Sequence, residues 1–249
     1  RNLDSIIEWR VEDYLKQSAE DKVILSTNIQ NLLNWHRDKM IPSYSIFLEN
    51  QIAILKQGQI KRIHILDFVA HSKKLFEQTI IGFVPFVAAV LKRHTSDKKI
   101  SHLEMRFKEE SDNEQKNFKE VNNLRIKRRE KVKSTFESIL GTANDVQMMA
   151  INRYVDATND FLLYWFKRRV KRQNGLVNFL RGDPNKDQIE RFLINLFLGP
   201  EKNDLTSTWW LKFNNLLIEV FTSLERKQIL KLTNLFENYV GEMRELSKK

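Results

Sequence analysis

A chain of 249 residues with only 7 Gly, 4 Pro and no Cys lacks the turn chemistry of an all-β or α/β fold, and it excludes disulfides, thiolate zinc sites, thiol nucleophiles and cysteine-ligated clusters. Its formal charge of +10 and pI near 9.6 predict attraction to polyanions, whether nucleic acid, anionic lipid head groups or acidic protein surfaces, without choosing among them.

The start at Arg1, with no initiator Met and no signal-like stretch, reads as a chain that follows a processed or truncated segment. Leu3 to Lys16 is the first predicted helix, with Ile6, Ile7, Val11, Tyr14 and Leu15 on one face. Ser18, followed by Glu20 and Asp21, suits a second N-terminus, from which Leu25, Ile29, Leu32, Leu33, His36 and Met40 continue one stripe. Pro42 predicts a helix boundary near Ile41 and a third helix to about Gln57, closed by Gly58. Ile60 to Thr79 and Phe83 to Lys92 read as two helices, or as one bent around Gly82 and Pro85. The apolar run Ile80 to Leu91 is shorter than the roughly 20 residues that span a bilayer, so it is expected in the core and the chain is expected to be soluble by itself.

Ser96-Asp97 opens a charged helix that turns Leu103, Phe107 and Phe118 inward. Leu124 to Leu140 ends at Gly141, and Thr142 with Asp145 resembles a capping box for the next helix. Asp160 to Arg181 carries aromatics and cations, with a break or kink suggested at Asn174-Gly175. Asp183-Pro184 reads as an N-cap with proline at the first helical position, and Gly199-Pro200 as that helix's end, followed by a loop through Asp204. Two last helices, Ser207 to Ser223 and Glu225 to Leu246, carry Trp210, Phe213, Leu217, Phe221, Leu232 and Phe236 on buried stripes. The fold class is therefore all-α: a bundle of antiparallel helical hairpins, about ten helices, compact or elongated, in one domain over 1–249 with a soft subdivision near 141.

The amino-terminal pattern Asn2-Leu3-Asp4, Trp9-Arg10-Val11-Glu12-Asp13-Tyr14, Leu33-Asn34-Trp35-His36-Arg37 and Ile41-Pro42-Ser43-Tyr44 resembles a family of uncharacterised Gram-negative bacterial lipoproteins. The similarity is clearest over the first 60 residues and weaker through Gln147, Trp165, Arg168 and Arg169. It implies a periplasmic domain tethered to a membrane through an acylated cysteine before the first helix. Neither signal nor cysteine stands in this sequence.

Two clusters merit inspection. Trp35, His36, Arg37 and Tyr44 bring together groups able to hold an anion, but on an ideal helix the first three point about 100° apart. The structural alternative buries Trp35 and Tyr44, pairs Arg37 with Asp13 or Asp38, and lets His36 hydrogen-bond across helices. The second cluster, Arg125, Arg128 and Arg129 on one helix and Trp165, Arg168 and Arg169 on another, would form a cationic binding groove if the helices met. Its alternative is a set of solvated faces whose aliphatic stems cover the core.

No metal or cofactor is expected. The histidines at 36, 64, 71, 94 and 102 lack paired zinc spacing, and no nucleophile elbow, phosphate loop or dinucleotide fingerprint occurs. The expected function is a non-enzymatic, membrane-tethered periplasmic binding or scaffolding module for an anionic envelope component or acidic protein. The alternative is a lipid or fatty-acyl carrier with an apolar cavity lined by Phe83, Phe86, Val87, Trp165 and Trp210. A nucleic-acid binder and an enzyme rank below both.

Overall fold

The computed structural model describes residues 3–118, 121–199 and 204–248. Among the described residues there is no strand. The helices are α1 (Leu3–Tyr14), α2 (Ala19–Trp35), α3 (Ile41–Lys56), α4 (Arg62–Lys92), α5 (Asp97–Asn117), α6 (Val121–Leu140), α7 (Asp145–Ala157), α8 (Phe161–Leu180), α9 (Lys186–Leu198), α10 (Asp204–Thr222) and α11 (Arg226–Leu246). A π-helical turn, His36–Met40, joins α2 to α3, which leaves ten separate helices among the described residues of an all-α, multi-helix fold.

That π turn replaces the boundary expected near Ile41. Proline lacks an N–H and its ring crowds the carbonyl four residues back, here that of Asp38. A widened turn just before Pro42 relieves both conflicts, so the helix continues where a regular α-helix would stop. The segment 60–92 likewise forms one helix from Arg62 onward, with Pro85 inside it, and by length and composition α4 is apolar enough to cross a membrane. The sequence-based limit rested on Ile80 to Leu91 alone, whereas the helix reaches well beyond that run. α8 passes through Asn174-Gly175 without a break, since one glycine costs a helix only about 1 kcal/mol.

Two helix starts move by two residues or so. Asn144, not Thr142, caps α7: its side chain accepts the Gln147 amide while Gln147 accepts the Asn144 amide. Asn185 caps α9 in the same way with Gln188. Asp183 instead takes a left-handed φ of 47° and accepts hydrogen bonds from Lys92 Nζ (2.8 Å) and Thr95 Oγ1 (2.7 Å), which occupy the carboxylate that would have capped the helix. Of the expected loop through Asp204, residues 200–203 lie outside the described residues, and Asp204 already opens α10.

The chain divides into two compact units, each discontinuous in sequence. The first comprises residues 1–36, 77–119 and 163–200. Its core joins Val84, Ala88 and Leu91 of α4 to Ile100 and Leu103 of α5, Val177 and Leu180 of α8, and Ile189 and Leu193 of α9. Within the run Ile80 to Leu91, Val84, Ala88 and Leu91 lie in this core and Ile80, Val87 and Val90 pack against it, whereas Ile81 is 48% exposed. Phe179 and Phe192 stack at 4.2 Å. Asp13 binds Arg106 with both oxygens (2.7 and 2.8 Å), fastening α1 to α5.

Trp35 explains Gly82. A Cβ at Gly82 would stand 1.8 Å from Trp35 Cζ2, and Phe86, one turn on, meets the same indole at 6.3 Å. Gly82→Ala should therefore destabilise the protein by about 1–3 kcal/mol through overpacking. Combining it with Trp35→Ala should cost less than the sum of the two single changes, as read by a double-mutant cycle in urea. Additive losses would show that the indole does not set the requirement for glycine.

The second unit comprises residues 37–76, 120–162 and 201–249. α3 packs on α11, α7 on both α6 and α10, and α6 on α11. Leu140, Ala150, Ile151, Val155, Leu216, Val220 and Leu232 form its core. Two buried glutamines tie α7 to α11. Gln147 Nε2 donates to Gln228 Oε1 (2.8 Å) and Gln228 Nε2 to Gln147 Oε1 (2.9 Å), while each also closes the capping box of its own helix. Such a fully satisfied buried pair favours one packing over its competitors.

Candidate apolar binding cavity

Within the second unit α3, α4, α6, α10 and α11 do not close completely, and leave a half-open cavity of about 820 Å3. That volume lies in the range of roughly 300–1,000 Å3 typical of small-molecule sites. α4 contributes Ile65, Phe68, Val69, Ser72, Lys73 and Phe76, spaced three and four apart, so one helical face lines the wall. Val132, Thr135, Phe136 and Ile139 repeat the pattern on α6, and Trp210, Phe213, Leu217 and Phe221 on α10. Ile54 and Leu55 of α3, Tyr154 of α7, and Leu232 and Phe236 of α11 complete it.

Aromatic packing holds the α10 wall in place. Trp209 stacks on Phe213 at 5.1 Å and 8°, and Trp210 meets Phe213 edge-on at 5.9 Å. Lys73 Nζ sits 3.6 Å from the Trp210 ring centroid, a cation–π contact, and burial pushes its ammonium pKa down. The titratable groups on the lining are His64, Lys73, Lys131 and Tyr154, and no carboxylate is among them. Burial raises the Tyr154 pKa, against the opposing effect of Arg128.

Of the five residues expected to line an apolar cavity, Trp210 does so. Phe83, Phe86, Val87 and Trp165 belong to the first unit, where Phe86 packs on Trp35 and Val87 on the core. Phe213, Leu217, Phe221, Leu232 and Phe236, also on the lining, were read as buried stripes. A stripe that meets another helix and one that faces a void have the same periodicity.

The expected cationic residues are engaged within their own units. Arg125 and Arg129 reach Asp156 at 2.6 and 3.4 Å, and these arginines hold its carboxyl pKa down. Arg128 donates to the Val155 carbonyl (3.2 Å) and Thr158 Oγ1 (2.5 Å) and lies 5.3 Å over the Tyr154 ring. Together they clamp α6 to the end of α7. In the first unit Arg169 ion-pairs with Glu114, and Arg168 lies 4.7 Å over the Trp165 ring, which itself meets Tyr164 edge-on at 5.1 Å. These arginines are engaged in internal contacts, and the cavity owes its charge to Lys131, which belongs to the basic run of α6, and to Lys73, which the sequence did not single out.

The Trp35 to Tyr44 segment is likewise shared among separate partners. Trp35 is half-buried against α4, and half-buried His36 has its pKa lowered by burial. Arg37 Nε lies 3.4 Å from Asp38, Asp13 is bound by Arg106, and Tyr44 is half-buried in α3. Among the described residues no three His, Asp or Glu side chains converge to hold a metal.

A model described as a family of unknown function (DUF6279) matches residues 13–209, more than half of the chain, and stops inside α10. No curated protein and no solved structure matches the chain.

Proposed function

The chain belongs to this family of unknown function, DUF6279, and from that premise we propose a non-enzymatic, membrane-tethered periplasmic binding module that takes a lipid or fatty-acyl chain into the cavity of its second unit. The cavity carries the reading. Its volume of about 820 Å3 and its mainly aliphatic and aromatic lining suit a flexible hydrocarbon chain. The resemblance of the first 60 residues to bacterial lipoproteins supports the envelope location and the tether. Internal engagement of Arg125, Arg128, Arg129 and Arg169 favours this reading over an acidic protein partner docked on the basic helices.

Each methylene withdrawn from water contributes about 0.8 kcal/mol, so a chain of a dozen methylenes gains roughly 10 kcal/mol before association costs, which leaves affinities in the micromolar range. Native mass spectrometry of the full chain, purified without detergent, should show one acyl-chain compound per protein. After extraction of that compound, the protein should take up one equivalent of a brominated fatty acid, read as quenching of Trp209 and Trp210. A protein that carries nothing and shows no saturable quenching would overturn the reading.

A further inference from the structure

The polar groups of the cavity identify which end of a ligand lies where. Most lining side chains are apolar, and the two fixed charges, Lys73 on α4 and Lys131 on α6, have the same sign. Among the described residues neither ammonium takes part in an ion pair, and no Asp or Glu lines the cavity. Elsewhere in the same unit some cations are matched by carboxylates: Arg125 with Asp156, Arg153 with Glu219, Lys56 with Glu237. Both lysines are exposed residues, so they stand at the open side of the cavity, and the Lys73 ammonium, against the Trp210 ring, loses part of its solvation there. Lys73 recovers part of that cost from the Trp210 face, 3.6 Å away, which attracts a cation without neutralising it.

We propose that the cavity selects a single-chain amphiphile with a carboxylate head, a long-chain fatty acid, whose tail lies among the α4, α6 and α10 side chains and whose carboxylate is received by Lys73 and Lys131. The inference rests on the proposed acyl-binding role and adds the charge and size of the head group. A charge-assisted hydrogen bond from an ammonium to a carboxylate is about twice as strong as a neutral one, and it strengthens where water is partly excluded. Because Lys73 and Lys131 stand at the open side of the cavity, a head group meets them there while its chain lies within. A carboxylate is compact enough. A glycerophosphate brings a hydrated polyol with it.

Calorimetric titration of the delipidated full chain at pH 8 with palmitate, hexadecanol and a palmitoyl lysophosphatidylglycerol tests this. Palmitate should bind at least tenfold more tightly than hexadecanol, the neutral head on the same chain length, and more tightly than the lysophospholipid. Lys73→Met and Lys131→Met, which keep the apolar stem, should each remove most of that preference and leave hexadecanol affinity unchanged. Equal affinity for palmitate and hexadecanol would overturn the head-group assignment while the acyl-binding role stands. Tighter binding of the lysophospholipid would overturn the carboxylate in favour of a phosphate head. Failure of all three probes to bind would overturn the acyl-binding role, and this inference with it.

Discussion

Asp21→Ala should lower the unfolding free energy by about 3 kcal/mol, a melting-temperature loss of roughly 6–12 °C for a chain of this size. Asp21 is 3% exposed, yet its carboxylate accepts from Lys99 Nζ (2.5 Å), Arg93 Nε (2.9 Å), and both the Ser18 amide (3.0 Å) and hydroxyl (2.8 Å). One side chain therefore caps α2 and links it to the end of α4 and the start of α5. Its removal strands Lys99 and leaves Arg93 with Glu20 alone (2.9 Å), both cations being partly open to water, which places the cost near the lower end of the roughly 3–5 kcal/mol for breaking a buried pair. Asp21→Asn keeps an oxygen for the Ser18 amide and should lose less.

The same residue sets an acid limit. Burial pushes the Asp21 carboxyl pKa up, but the hydrogen bonds from Lys99, Ser18 and Arg93 outweigh this and hold it well below the usual carboxylate range. A carboxyl depressed in the folded state contributes stability that is fully present above its unfolded value, about 3.9, and is lost as pH falls toward the folded one. The difference in stability between wild type and Asp21→Asn should accordingly be constant from pH 7 to about pH 5 and shrink below pH 4. Buried His94, its Nδ1 2.8 Å from the Val90 carbonyl, has its pKa lowered by desolvation, and the Arg93 pKa is raised by Asp21 and Glu20. A difference that grows on acidification would rule out this role.

Asp21 also shows where sequence reading ends. Ser18 followed by Asp21 marks a helix start by local chemistry, and the capping box forms as those residues suggest. Nothing local points to Arg93 and Lys99, more than 70 residues away. Both Thr142-x-x-Asp145 and Asn144-x-x-Gln147 satisfy the same cap pattern, and the choice of Asn144 goes with Gln147's bond to Gln228 on α11. Asp183 fails as a cap for a similar reason, since Lys92 and Thr95 hold its carboxylate. Helix class, the central run Ile80 to Leu91 and the ends at Gly58 and Gly141, with φ of 73° and 87°, depend on neighbours in the chain and were readable. The cavity was not. Leu217 and Phe221 satisfy a helical stripe whether the opposite wall touches them or stands back, and only the arrangement of five helices decides.

That difference yields the largest expected effect on binding. Leu217→Trp should lower palmitate affinity more than 100-fold, a loss above about 2.7 kcal/mol, because the indole occupies space that the chain would fill. In a close-packed core the same change would be destabilising by about 1–3 kcal/mol through overpacking. Here the added atoms enter a void of about 820 Å3 and gain contacts with Phe213 and Val132, so the melting temperature should hold or rise. Val132→Phe, on the facing α6 wall, should act in the same direction with a smaller effect. The two readouts separate the explanations: loss of binding with unchanged stability identifies the void as the ligand's place, whereas loss of both would show a core damaged by overpacking. Palmitate binding retained within threefold in both variants would place the ligand elsewhere on the protein.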